Sequence, residues 1–151
     1  MIFTLKVIAV GLLITLAISG GKLLYANLQD KQRMDDLRQV KQALLAFYQD
    51  NGYYPTELSI RCPPLVSGMI SSPETFKKYL DELPYDPGCT DARNYIYRSL
   101  PDLVGRCNGT GCTDFVLCAK KDGNSNYKLT RCASLSCAGQ PNDCDMEVSS
   151  Y

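Results

Sequence analysis

The chain has 151 residues with 16 basic and 16 acidic side chains, so its formal net charge is zero and it lacks the basic surplus typical of nucleic-acid-binding domains. It contains eight cysteines and no histidine, which excludes a Ser-His-Asp triad and histidine-containing zinc sites. The length predicts one domain. No nucleophile–base pair stands out, so the sequence indicates neither an enzyme nor a bound cofactor.

The first predicted element is one long helix. Residues 1–21 carry a single charge, Lys6, and apolar residues then recur at steps of three and four through Leu37, Val40, Leu44 and Phe47, which is the pattern of a buried helix face. A stop signal follows at Asn51-Gly52. The residues predicted to form the solvated face are Asp30, Lys31, Arg33, Asp35, Asp36, Arg38, Lys41 and Gln42.

A helix from about Thr4 to Asp50 would be about 70 Å long, too long for a lone helix of a compact domain this size. We therefore divide the chain into a hydrophobic arm, residues 1–28, and a globular domain, residues 29–151. The arm needs lipid or other copies of the chain to bury it. A bend or melted turn is expected at Gly20-Gly21, because two glycines cost about 1–2 kcal/mol of helix propensity.

The arm is also the predicted assembly element. The residues expected to carry assembly are Phe3, Leu5, Lys6, Val7, Leu12, Leu13, Ile14 and Leu16. Lys6 lies near the positive end of the helix macrodipole. Buried among the arms of other copies it needs an acceptor, and because no acid precedes Asp30 we expect a backbone carbonyl near Gly20-Gly21 of a neighbouring copy.

The rest of the chain predicts a loop, a short helix and three strands. The helix begins at Ser72 and ends before Pro84, with Phe76, Tyr79, Leu80 and Leu83 on its apolar face. The strands are predicted at residues 94–100, 114–119 and 127–133, followed by a polar tail. The predicted fold is therefore α+β: a long N-terminal spine helix with an antiparallel β-meander packed on its C-terminal half, and a disulfide-stapled C-terminal region.

All eight cysteines lie in the globular part, which predicts disulfides formed in an oxidising compartment. They are Cys62, Cys89, Cys107, Cys112, Cys118, Cys132, Cys137 and Cys144. Eight cysteines allow 105 pairings, so the connectivity stays open. The loop of residues 107–112 is closed either by its own disulfide or by two others, and it contains the glycosylation sequon that starts at Asn108.

Four segments of this sequence resemble the type IV pilin and type II secretion pseudopilin superfamily. Asn51-Gly52-Tyr53-Tyr54-Pro55 resembles the motif that closes the spine helix of major pseudopilins. Leu83-Pro84-Tyr85-Asp86-Pro87 resembles the Leu-Pro-x-Asp-Pro loop of that family, and Tyr95-Ile96-Tyr97 the strand after it. Phe3-Thr4-Leu5 is similar to the start of mature pilins, although Val7 stands where the family usually has glutamate. The sequence reads either as a mature chain without its leader or as a divergent member.

The resemblance implies a structural subunit of a helical homopolymer, with no enzymatic activity. Its implied partners are other copies of itself, the inner membrane before assembly and a pilus assembly machinery, and its final location is the cell surface or an extracellular filament. A secretion pseudopilin is the nearest alternative. A monomeric, secreted, cysteine-rich binding domain is another, since Ala17 and Ser19 fit a signal-peptide cleavage site.

Calcium is the one metal that the sequence leaves open. Asp122, Asn124 and Asn126 have the first spacings of a calcium loop, but Tyr127 stands where such a loop needs glycine, so a turn is predicted there. Some members of the resembling family bind calcium in the C-terminal loop, a role for which Asp143, Asp145 and Glu147 are the candidates.

Overall fold

A computed structural model describes residues 2–60, 74–89, 93–100, 107, 109–122, 131–132, 135, 137 and 144–150, with side chains of the long helix described from residue 20 onward. Its elements are helix α1 (Ile2–Asn51), strand β1 (Ile96–Leu100), a short 3-10 helix (Gly109–Gly111), strand β2 (Asp114–Ala119) and strand β3 (Met146–Ser149). The predicted α+β layout is confirmed at this level.

Helix α1 has 50 residues and is therefore about 75 Å long. It runs through Gly20 and Gly21 as helix, so the melted turn expected there is wrong. The flanking alanine- and leucine-rich segments have high helix propensity and offset the two glycines. The predicted stop is confirmed: Gly52 has a positive φ of 78° and its N–H donates to the Tyr48 carbonyl at 2.7 Å, the arrangement of a glycine-ended helix.

The apolar stripe of α1 forms one side of the core. Leu37, Val40 and Leu44 are fully buried and Phe47 nearly so, as the spacing predicts. The same stripe also buries Arg33, which has no exposed surface. The prediction that Arg33 belongs to the solvated face is therefore wrong, and the reason lies in the ion pairs described below.

The three strands form one antiparallel sheet in the order β1-β2-β3. Central strand β2 is buried along its whole length, because alternate residues of a strand point to opposite faces and both faces are covered. Phe115 and Leu117 belong to the core cluster that includes α1. Val116 and Cys118 pack with a second cluster made mostly of cystines.

The third strand of the sheet is not the predicted one. Arg131 and Cys132 form a bend, the other residues of the 127–133 segment lie outside the described residues, and β3 comes from the tail predicted to be polar. The backbone N–H groups of Arg131 and Cys132 donate to the Glu147 carboxylate at 3.1 and 3.4 Å. The Glu147 side chain of β3 thus accepts hydrogen bonds from two backbone N–H groups that strand pairing at residues 131–132 would require.

The predicted short helix is a hydrogen-bonded turn over residues 74–79. Its predicted first residue, Ser72, lies outside the described residues. The Tyr79 and Leu80 N–H groups both donate to the Phe76 carbonyl, at 2.9 and 3.2 Å, and the buried Phe76 ring lies 5.9 Å from that of Phe47. Aromatic packing holds this segment, because a helix of so few residues is marginal by itself.

Candidate functional site

Helix α1 extends beyond the globular domain and carries exposed apolar side chains there. Leu23, Leu24, Tyr25 and Leu28 are 63–66% exposed. At 100° per residue these four positions lie on several sides of the helix and not on one stripe. They cover about 200° of its circumference, and a large exposed apolar patch indicates an interaction site, so this segment is the candidate assembly surface.

The predicted assembly residues belong to the same helix, N-terminal to this segment. The structure places residues 3, 5–7, 12–14 and 16 within α1, while their side chains lie outside the described part. Within the residues described, no helix has the length and hydropathy required to cross a bilayer.

A buried ion-pair cluster lies where α1 enters the globular domain. We call it the Arg33 cluster; its members are Asp30, Arg33, Asp86, Arg93 and Asp122. They come from α1, from the Leu-Pro-x-Asp-Pro loop, from the approach to β1 and from the segment after β2. The cluster therefore joins four parts of the chain at the base of the projecting helix.

Arg33 makes the central contacts of the cluster. Its Nε and Nη2 donate to the two carboxylate oxygens of Asp86 at 2.9 and 3.0 Å, which is the bidentate geometry that suits guanidinium and carboxylate. Its Nη1 donates to Asp30 at 2.6 Å, and its Nη2 lies 2.9 Å from Asp122. A buried arginine with three acidic partners has no unpaired charge.

Arg93 links the outer members of the cluster. Its Nη1 lies 2.7 Å from Asp122, its Nη2 donates to the Lys120 carbonyl at 2.8 Å, and its Nε lies 3.3 Å from Asp86. The Asp122 N–H in turn donates to Asp30 at 2.8 Å. The segment after β2 is thus held to α1 through both side-chain and backbone contacts.

The pKa values in the cluster follow from these contacts. Burial disfavours the charge on Arg33, but the hydrogen bonds and charges of Asp86 and Asp122 outweigh it and raise the Arg33 pKa. Burial likewise opposes the charge on Asp122, yet Arg33 and Arg93 hold its pKa below the ordinary aspartate value. Arg33 and Asp122 are therefore both charged at neutral pH.

Gly88 helps to fix the loop that carries Asp86. Gly88 donates its N–H to Asp86 at 2.7 Å, and a Cβ at Gly88 would lie 3.1 Å from Arg33 Nη2 and 3.2 Å from Asp86 Oδ1, so a larger residue would crowd the pair. Nearby, the Tyr95 hydroxyl donates to Asp36 at 2.7 Å. Burial raises the Asp36 pKa despite this hydrogen bond.

The sequence contained a signal for the burial of Arg33 that the prediction missed. Arg33 lies four residues before Leu37 and seven before Val40, so it continues the apolar stripe one turn toward the N-terminus. A charged residue in such a stripe indicates either its end or a buried ion pair. The partner in that pair is Asp86, which lies in the loop Leu83-Pro84-Tyr85-Asp86-Pro87.

The predicted disulfides are confirmed for the described cysteines, none of which is free. Three bonds join Cys107–Cys112, Cys118–Cys132 and Cys137–Cys144. Cys89 is also disulfide-bonded, and Cys62 lies outside the described residues. Asn108 lies outside them too, but the disulfide that closes its loop is the first of the two alternatives left open by the sequence.

The side chains considered for calcium make other contacts where they are described. Asp122 belongs to the Arg33 cluster. Asp145 accepts hydrogen bonds from the Lys121 N–H at 2.5 Å and from Lys120 Nζ at 3.3 Å, and Glu147 accepts from the bend at Arg131. Asn124, Asn126 and Asp143 lie outside the described residues, among which no group of three potential metal ligands occurs.

Comparisons with known proteins add no relative: no protein-family model, curated protein or solved structure matches this chain.

Proposed function

We propose that this chain is a structural subunit of a helical filament of the type IV pilin and pseudopilin class. Its arm, residues 1–28, would hold it in the inner membrane before an assembly machinery transfers it to the filament. The arm would then pack against the arms of other copies, and the filament would project at the cell surface. The role proposed is mechanical and involves no catalysis.

The observation that carries the proposal is the projection of α1 from the globular domain with large apolar side chains exposed. Fully burying a leucine- or tyrosine-sized apolar side chain stabilises by about 1.5–3 kcal/mol. Four such side chains at residues 23–28 therefore favour association by several kcal/mol, before the apolar residues nearer the N-terminus are counted. An isolated subunit in water does not gain this stabilisation, because these side chains stay exposed.

The Arg33 cluster supports the proposal because it lies at the base of the projecting helix. A filament subunit transmits load between its arm and its globular domain, and that junction must resist bending. Four segments of chain meet in the Arg33 cluster, and the carboxylate of Asp86 is fully buried against Arg33. Loosening this junction would require buried charges to separate, which is unfavourable by several kcal/mol.

The disulfides support an extracellular location. Disulfides persist in oxidising compartments and are rare in the cytosol. Three of them lie in the described part of a globular domain of about 120 residues, a density that suits an exposed fibre. This argument favours a surface filament over a short periplasmic one.

The test is a comparison of the full chain with a chain that begins at Gln29. We expect the full chain to form sedimentable filaments when detergent is removed, and the shortened chain to remain a monomer. Circular dichroism and disulfide mapping of the shortened chain provide the control for folding. A folded shortened chain that still forms filaments would show that the arm is not the assembly element.

A second variant keeps the arm and changes only its exposed surface. Leu24→Glu combined with Leu28→Glu places charge on two side chains that are each 66% exposed, so the fold of the subunit should be unaffected while assembly is lost. Glu57→Gln, on an exposed loop residue, is the matched control and should assemble like the unmodified chain.

A further inference from the structure

Tyr85 stands out on the surface of the globular domain because it is exposed on a loop that is otherwise fixed. Tyr85 is 45% exposed, while Leu83 before it and Asp86 after it are only 4% and 1% exposed. Pro84 and Pro87 restrict the backbone further, and Asp86 is held by Arg33 through two hydrogen bonds. An aromatic side chain held in place in advance loses little entropy on binding, which favours it as an anchor at an interface.

Two shallow clefts flank Tyr85. One has a volume of about 400 Å³ and is lined by Gln32, Asp36, Pro84, Tyr85 and Pro87. The other has a volume of about 430 Å³ and is lined by Gln39, Leu80, Asp81, Glu82, Leu83, Pro84 and Tyr85. We call the two clefts together with Tyr85 the Tyr85 surface.

The charge of the Tyr85 surface is negative. Asp36, Asp81 and Glu82 line it, and none of the described residues that line either cleft is basic. The nearest lysines along the chain, Lys77 and Lys78, are paired with Glu74 and Asp50. The surface therefore fits a cationic partner, whose charged groups could contact both the carboxylates and the face of the Tyr85 ring.

A complementary surface exists on the same chain, on another side of α1. Lys31 and Arg38 are seven residues apart and share one helix face. Lys31 is exposed and has no ion pair among the described residues, and the pair between Arg38 and Asp35 is long, at 3.4 Å, and exposed on both sides. The acidic side is lined by Gln32, Asp36 and Gln39, so both surfaces lie at the same height along the helix.

We propose that the Tyr85 surface of one copy binds the Lys31–Arg38 face of a second copy in the filament. The proposal rests on the proposed function, since it needs copies aligned in parallel by their arms. Two different surfaces then meet in a head-to-tail contact, which continues from copy to copy and builds a helical assembly instead of a closed dimer. Charge complementarity fixes the register of neighbouring globular domains.

The test is photo-crosslinking in the full chain, with benzoylphenylalanine placed at position 85 and the chain assembled by detergent removal. We expect a covalent dimer whose linked peptides join position 85 to the segment of residues 31–38. The same probe at position 57 is the control and should give no such link. A dimer linked elsewhere on the second copy would overturn the proposal.

Charge reversal tests whether electrostatic attraction holds the Tyr85 surface against the Lys31–Arg38 face. Lys31→Glu with Arg38→Glu should lower the yield of this dimer about tenfold, as expected for loss of the central contacts of an interface. Adding Asp81→Lys with Glu82→Lys to the same chain should restore it. Reversal of an exposed arginine on β1, Arg98→Glu, is the control and should leave the yield unchanged. An unchanged yield with Lys31 and Arg38 reversed would overturn the proposal.

Sedimentation of every sample separates this inference from the function on which it rests. Assemblies that sediment normally but give no dimer from position 85 would overturn the inference alone. A full chain that does not sediment at all would overturn both.

Discussion

Arg33 shows how one residue joins the local pattern of a helix to the tertiary structure. Its position places it on the buried stripe of α1, and its charge makes that position tolerable only with acidic partners. Asp86, 53 residues further along the chain, supplies two hydrogen bonds. Without its acidic partners the arginine would have to leave the stripe, because a guanidinium cannot be deprotonated in proteins.

Replacing Arg33 with methionine should therefore be strongly destabilising. Arg33→Met keeps much of the side-chain volume but leaves the buried Asp86 with only the longer ion pair to Arg93, at 3.3 Å, and we expect the free energy of unfolding to fall by about 3–5 kcal/mol. The measurement is urea unfolding of the full chain in mild detergent, followed by tyrosine circular dichroism because the chain has no tryptophan.

The matched control is Arg38→Met, since Arg38 is also on α1 but its ion pair is exposed. Its effect should stay below about 1 kcal/mol. The double variant Arg33→Met, Asp86→Asn should lose less stability than Arg33→Met alone, because it also removes the buried charge that lost its bidentate partner. Equal losses for Arg33→Met and Arg38→Met would refute the central role of Arg33.

At the scale of elements, the two faces of strand β2 are buried by different kinds of side chain. Helix α1 and its neighbours cover the face with Phe115 and Leu117, while cystines cover the face with Val116 and Cys118. The Cys118–Cys132 bond connects β2 to the bend at Arg131, and Glu147 of β3 accepts hydrogen bonds from that bend. The second layer of the domain is thus held by a disulfide and a carboxylate more than by hydrophobic side chains.

Loss of the Cys118–Cys132 disulfide should affect stability more than loss of the Cys107–Cys112 disulfide, which spans fewer residues. For Cys118→Ser with Cys132→Ser we expect the free energy of unfolding to fall by about 3–5 kcal/mol. The reason is that this bond closes a loop of 14 residues and that both cysteines are fully buried. The Cys107–Cys112 bond closes a loop of only 5 residues. Its removal by Cys107→Ser with Cys112→Ser should therefore lower the free energy of unfolding by only about 2 kcal/mol. Urea unfolding of both double variants gives the comparison, and the reverse order would contradict the covering role of Cys118–Cys132.

At the scale of the whole molecule, the Arg33 cluster is the point where distant segments depend on one another. Its pH dependence follows from Asp122. Because the folded state lowers the Asp122 pKa, Asp122 stabilises the fold above its unfolded pKa of about 3.9, and this contribution is lost as pH falls through the lower, folded value. Asp36 acts in the opposite sense, since its pKa is raised in the fold.

Asp122→Asn should therefore change the acid limb of the stability curve. We expect a loss of about 1–3 kcal/mol at pH 7, where Arg33 and Arg93 lose an ionised partner, and a shallower decrease of stability below about pH 4. The measurement is urea unfolding from pH 7 to pH 2, with Asp35→Asn on the exposed pair with Arg38 as control. A variant whose curve parallels that of the unmodified chain throughout would contradict the assignment.

The sequence by itself determined the helix, its buried stripe and its end, together with β1 and β2. These depend on local periodicity and on glycine conformation, which neighbouring residues decide. Sequence also indicated that the cysteines form disulfides, because their number and surroundings suffice for that. The family resemblance located the loop of Asp86 but did not say that its carboxylate would be buried against Arg33.

Only the tertiary structure decided which segments meet. The third strand of the described sheet is β3, from the tail that the sequence predicts to be polar, because its pairing with β2 depends on contacts across some thirty residues of chain. The disulfide connectivity and the burial of Arg33 have the same origin. Each depends on the distance in space between groups that are far apart in sequence, and no local pattern fixes that distance.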